Sequence, residues 1–92
     1  MKVSVMFLGP LGAQIGKDAI EIELPDGSTY GVLMETIGRH YGDKFMDGIW
    51  DPEKNAFKGT VLTIGCGRDL QSPQTPLLQN EEIKFVPIFA GG

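Results

Sequence analysis

The chain has 92 residues, with 8 lysines and arginines against 12 aspartates and glutamates, a single cysteine and 13 glycines. That length predicts one domain with one modest core, while a lone cysteine excludes an internal disulfide, an iron–sulfur centre and a zinc ribbon. A net charge of −4 argues against a nucleic-acid partner, no stretch approaches the roughly 20 consecutive apolar residues of a membrane span, and the opening Met1-Lys2-Val3-Ser4-Val5 lacks a secretory signal's apolar run, so a cytoplasmic protein with no membrane partner is expected.

The first element is a strand in Lys2-Val3-Ser4-Val5-Met6-Phe7-Leu8, where Val3, Val5 and Phe7 alternate onto one face. Gly9-Pro10 stops it, and Gly12 and Gly16 predict a loose turning connection. A second strand follows in Ala19-Ile20-Glu21-Ile22-Glu23-Leu24, its isoleucines and leucine on one side and its glutamates on the other. The two runs read together as an antiparallel hairpin. Pro25-Asp26-Gly27 is turn chemistry, and Ser28 or Thr29 is placed to cap a helix. From Tyr30 to Tyr41, Leu33, Ile37 and Tyr41 fall four residues apart with Met34 beside them, the stripe of a helix lying across a sheet. Gly31 and Gly38 each weaken such a helix by about 1 kcal/mol relative to alanine, so packing has to hold it. Gly42 is placed to end it.

Residues 43–59 carry the weakest pattern. Ile49-Trp50 and Ala56-Phe57 flank Asp51-Pro52-Glu53-Lys54-Asn55 as in a short irregular hairpin. Thr60-Val61-Leu62-Thr63-Ile64 is β-branched and predicts a strand broken by Gly65-Cys66-Gly67. Residues 69–79, with Pro73 and Pro76, read as a loop. The last strand is expected over residues 82–86, with Ile83 and Phe85 inward and Pro87 as its stop. One main helix against a mixed four- to five-stranded sheet is an α+β arrangement.

Few residues offer catalytic chemistry. Gly12-Ala13-Gln14-Ile15-Gly16-Lys17-Asp18 is one residue short of a phosphate loop, and Asp18 stands where a hydroxyl would hold magnesium. His40 is the only histidine. Cys66 lies between two glycines and reads as a small residue in a turn. Trp50 reads as the residue that closes one end of the core, with anchoring of a partner as the alternative.

The end of the sequence is different. Chance places two glycines there in roughly 0.5% of chains, given ordinary glycine usage. They follow directly on a strand, and fully extended the five residues after Pro87 reach about 17 Å. A free α-carboxylate resists acyl substitution until ATP converts it to an acyl-adenylate. Gly92 and Gly91 then leave its carbonyl open to a nucleophile, and a backbone without Cβ passes through a narrow channel. On this reading Gly92 is the reacting residue, the chain binds no cofactor itself, and a larger enzyme supplies the ATP site.

In the order Phe7, Leu24-Pro25-Asp26-Gly27-Ser28-Thr29, Leu77-Leu78-Gln79-Asn80-Glu81-Glu82-Ile83 and Phe85-Val86-Pro87-Ile88-Phe89-Ala90-Gly91-Gly92, the sequence resembles the ubiquitin-like sulfur carriers of the MoaD/ThiS group, and within it the MoaD-type small subunits of molybdopterin synthase. The resemblance implies one β-grasp domain over residues 1–92, with 87–92 as an exposed tail. It implies that an E1-like enzyme adenylates Gly92, which becomes a thiocarboxylate and donates sulfur within a hetero-oligomer with a larger synthase subunit or another acceptor. Gly91, Ala90 and Phe89 would thread the partner's channel behind Pro87, and the outward residues Met6 and Val86 would meet the partner. The acceptor pathway expected is molybdenum or tungsten cofactor synthesis. Relatives of the same kind serve thiamine, tRNA thiolation or cysteine synthesis, or are joined to target lysines as protein modifiers.

Overall fold

The computed structural model describes residues 1–46, 48–59, 61–65 and 72–88. The strands are β1 (Lys2–Phe7), β2 (Ala19–Glu23), β3 (Trp50–Asp51), β4 (Ala56–Phe57), β5 (Val61–Gly65) and β6 (Glu81–Pro87). The helices are α1 (Pro10–Ile15) and α2 (Tyr30–Tyr41), with a single 3-10 turn, Gly42–Lys44, after α2. The main sheet runs β2-β1-β6-β5, and β3 and β4 form a separate two-stranded ribbon. β1 is antiparallel to β2 and parallel to β6, which is antiparallel to β5. The expected mixed sheet under one main helix is present.

Alternation decides which side of the sheet is filled. Val3, Val5, Phe7, Ile83 and Phe85 project from the two central strands and are all but inaccessible. They meet Leu33, Met34 and Ile37 of α2 in one core. β2 contributes Ile20 and Ile22, as its pattern predicted, and leaves Glu21 and Glu23 in solvent. Thr29 is the residue that caps α2, its Oγ1 accepting from the Val32 N–H at 3.4 Å. The Tyr30 and Gly31 N–H groups at that helix end donate to the carbonyls of Thr75 and Pro73, at 2.8 and 2.9 Å. The loop before β6 thus supplies acceptors that the first helical turn cannot supply itself.

Three expectations need correction. The connection between β1 and β2 is not a loose turn, because residues 10–15 form α1. Pro10 suits a first helical turn, Leu11 and Ile15 are buried four residues apart, and Gly16 (φ 80°) closes the helix with its N–H bonded to Gly12 O. Gly12 is there for close approach, since a Cβ at that position would lie 2.9 Å from the Phe7 carbonyl oxygen. Second, Gly42 caps α2 where expected, but in right-handed geometry (φ −56°, ψ −37°) that leads into the 3-10 turn and not in the left-handed form. Third, Pro87 is paired, opposite Val61. The β1–β6 ladder has already ended at Phe7 and Phe85, so the missing proline N–H falls where β6 has a neighbour on one side only. Of the expected break Gly65-Cys66-Gly67, Gly65 is still paired in β5, opposite Ile83, and Cys66 and Gly67 lie outside the described residues.

The short hairpin in residues 50–57 is confirmed. Its Trp50 is buried and stacks on Phe45 with ring centroids 5.9 Å apart, while Phe57 meets the Trp50 ring edge-on at 4.9 Å and Phe85 at 4.7 Å. Trp50 therefore closes the core, as the simpler of its two readings held. It also accounts for a glycine in α2: a Cβ on Gly38 would lie 2.7 Å from Trp50 Cζ2.

Candidate functional site

Strand β6 occupies the centre of the sheet and leads toward the residues expected to react. Its inward side chains Ile83 and Phe85 are completely buried, and the Phe85 carbonyl accepts from the Leu8 N–H at 3.0 Å. Pro87 is half-buried beside Gly9, where a Cβ would come within 3.4 Å of the proline Cγ. Ile88 follows and is 50% exposed. Phe89, Ala90, Gly91 and Gly92 lie outside the described residues. What is described is a rigid base for them, held by both neighbouring strands up to Phe85 and by β5 at Pro87.

The outward face of the sheet has two unlike ends. Near the end of β6, Met6 is 42% exposed, Leu62 42% and Ile64 43%, and Val86 is half-buried. Register makes these neighbours: Met6, Lys84 and Ile64 are directly opposite one another across β1, β6 and β5, and Val86 faces Leu62 in the next outward row. Toward the start of β6 the same face carries Glu82 opposite Ser4, Ser4 opposite Glu21, and Lys2 opposite Glu23. Lys2 Nζ lies 3.4 Å from Glu21 Oε2, an exposed pair that contributes little to stability.

Met6 and Val86, named from alternation, do share this apolar strip. Leu62 and Ile64 were not named. In Val61-Leu62-Thr63-Ile64 both faces read as apolar, so alternation cannot choose between them. The decision comes from α2: the Tyr30 hydroxyl shares a 2.9 Å hydrogen bond with Thr63 Oγ1, which turns Thr63 inward and Leu62 and Ile64 outward. Burial pushes the Tyr30 hydroxyl above its ordinary value, an effect that the Thr63 hydrogen bond partly offsets.

No competing catalytic centre emerges elsewhere among the described residues. The residues resembling a phosphate loop form α1 and the turn after it, with Lys17 in solvent. His40 is exposed near the end of α2. No group of three or more His, Cys, Asp or Glu among the described residues is placed to hold a metal ion. An open hollow of about 780 Å³ between α2 and the hairpin is floored by Trp50 and rimmed by Glu35, Arg39, Asp43 and Lys58. No helix among the described residues is long and apolar enough to cross a membrane.

The sequence matches no protein-family model and no curated protein. Solved structures do match. The chain superposes over its full length on all of SAMP1 from Haloferax volcanii, with a TM-score of 0.75 at 13% identity. A putative molybdopterin converting factor, subunit 1, from Pyrococcus furiosus matches over 97% of this chain and 99% of its own, with a TM-score of 0.74 at 25% identity. The fold is the ubiquitin-like β-grasp. Urm1 from Sulfolobus solfataricus shares it over 92% of this chain and 99% of its own, with a TM-score of 0.62 at 26% identity. The β-grasp neighbours are thus small proteins of modifier and MoaD-like type, about the size of this chain.

Proposed function

We propose that this β-grasp protein is a sulfur carrier that reacts through the carboxyl group of Gly92. In this reading the carboxylate attacks the α-phosphorus of ATP in the active site of an E1-like enzyme. Pyrophosphate leaves and an acyl-adenylate forms. Hydrosulfide from a sulfur donor then adds to the carbonyl and AMP departs, leaving a thiocarboxylate. The carrier contributes no acid or base and binds no ATP outside that complex. Its own residues deliver the end of the chain: Pro87 sets the base, Phe89, Ala90 and Gly91 enter the channel, and Met6 and Val86 dock beside it.

The observation that supports this reading most is the register of β6. A strand locked at the centre of the sheet ends beside an accessible apolar strip, so one partner surface can grip the sheet and receive the tail together. The likeness to a molybdopterin converting factor subunit favours a pterin as sulfur acceptor, within a hetero-oligomer containing a larger subunit. On this reading the protein serves molybdenum or tungsten cofactor synthesis in the cytoplasm.

A second reading has its own support. The likeness to SAMP1 and Urm1, a second H. volcanii structure being described as small archaeal modifier protein 1, favours a modifier joined through Gly92 to lysines. Both readings share the adenylated intermediate, and one experiment separates them. The protein is incubated with the adenylating enzyme of its own organism, ATP and a sulfur donor, and its intact mass is measured. Replacement of one oxygen by sulfur at Gly92 is expected. Lysine-linked adducts without a thiocarboxylate would assign the modifier role instead, and an unchanged mass would overturn both.

A further inference from the structure

Lys84 sits in the middle of the apolar strip. Its Cα partners are Met6 on β1 and Ile64 on β5, and Val86 is the next outward residue along β6. Side chains directly opposite across a sheet lie about 5 Å apart, so apolar neighbours flank the base of this lysine on two sides. Lys84 is exposed and makes no ion pair among the described residues. On the other side of Lys84 along β6 the next outward residue is Glu82, with no ion pair between the two, and beyond it Lys2 is paired with Glu21. Among the described residues the strip is therefore an apolar platform that carries one unpaired cation, with Glu82 at its edge.

From this we infer that Lys84 selects the partner: the surface docking on this face is apolar and carries one carboxylate that meets the Lys84 ammonium. The inference rests on the proposed docking of the activating enzyme against Met6 and Val86. A protein covering Met6, Ile64, Leu62 and Val86 removes water from the lysine they surround. A desolvated ammonium without a counter-charge opposes association, whereas one paired with a carboxylate fixes both orientation and partner. The same geometry disfavours a second copy of this chain as the occupant, because a two-fold axis through the strip would bring two Lys84 side chains together. A wholly apolar partner is disfavoured for the same electrostatic reason.

The alternative role for Lys84 is to cover apolar surface with its methylene stem, and the two roles predict opposite signs for one substitution. ATP–pyrophosphate exchange is measured with the organism's own adenylating enzyme, using this protein as the varied substrate. Lys84→Met keeps the stem and removes the charge. If the ammonium pairs with a carboxylate, Lys84→Met raises KM by about tenfold, Lys84→Glu raises it further, kcat is retained in both, and Lys84→Arg restores KM to near the original value. Lys54→Met changes net charge equally on the distant hairpin and is expected to leave KM within about twofold. Thermal midpoints equal to that of the parent protein show that the exposed substitutions leave folding intact.

A KM for Lys84→Met equal to or below the parent value overturns the inference and leaves the carrier reading in place. Equal increases for Lys84→Met and Lys54→Met also overturn it, because they report general charge steering. Self-association of the parent protein that Ile64→Ser abolishes assigns the face to a second copy and overturns it too. Absence of exchange with the parent protein overturns the carrier reading, and this inference falls with it.

Discussion

The two faces of the main sheet are built by the same strands to opposite rules. On the inner face, Val3, Val5, Phe7, Ile83 and Phe85 are packed until almost no surface remains. On the outer face, one residue away along each strand, Met6, Leu62 and Ile64 remain more than two-fifths exposed with a lysine among them. Burial on the inner face holds the domain together. Exposed apolar surface on the outer face adds little to stability and is retained where a partner is to cover it. In this molecule that surface adjoins the strand leading to Gly92. If the proposed docking holds, stability and partner binding are separated by the pleat, and substitutions on the two faces should have separable effects.

The largest effect is expected inside. Phe85→Ala removes a fully buried ring that meets Phe7 at 5.6 Å and Phe57 at 4.7 Å, and denaturant titration should show a loss of about 3–5 kcal/mol. A loss below about 1 kcal/mol would mean that the inner face is not the core. Next comes Gly38→Ala. Helix propensity alone predicts a gain of about 1 kcal/mol, but the added methyl meets Trp50, itself wedged between Phe45 and Phe57. A net loss of about 1–2 kcal/mol is expected, and a net gain would show that the hairpin packs elsewhere.

Tyr30 tests the contact that orients β5. Its pKa is raised in the folded protein, first by burial, so the folded state holds the proton more tightly than the unfolded chain. The stabilisation is complete below the ordinary value of 10.0 and is lost as pH rises through the folded value. Unfolding free energy should therefore fall above about pH 10, and this slope should flatten in Tyr30→Phe. At neutral pH that variant should lose about 1 kcal/mol with its hydrogen bond to Thr63. The smallest effect on stability is expected outside: Ile64→Ser should change it by no more than about 0.5 kcal/mol, while weakening pyrophosphate exchange with the adenylating enzyme. An outer-face change that unfolds the protein, or leaves exchange untouched, would erase the distinction between the faces.

How far each region was legible follows from how local its signal is. Val3-Ser4-Val5, Ile20-Glu21-Ile22 and Leu33 to Ile37 announce their elements because apolar and polar positions contrast at the strand or helix period. The stretch 10–16 was misread because two glycines resemble a loop, while their actual reasons are non-local: Gly12 is pressed against Phe7, and Gly16 ends a single short helix. Gly38 likewise looked like a weakness in α2 and proves to be the seat of Trp50, which lies 12 residues later. For the candidate site, alternation placed Met6 and Val86 on the outward face, where the structure has them. Leu62 and Ile64 were missed because both faces of β5 are apolar, and Lys84 was missed because a single charge has no period.

The sequence by itself determined that there is one main helix, that β1 and β2 pair, that Ile83 and Phe85 face inward, and that Gly91 and Gly92 come after the last strand. These follow from local periodicity and from covalent structure. Only the tertiary structure decided that the last strand lies at the centre of the sheet, between the first strand and β5. That placement fixes which residues meet Met6 on the outward face. The reason is physical: strand order and register depend on contacts between residues as far apart as Phe7 and Phe85, and no local pattern encodes which distant strand will stand alongside.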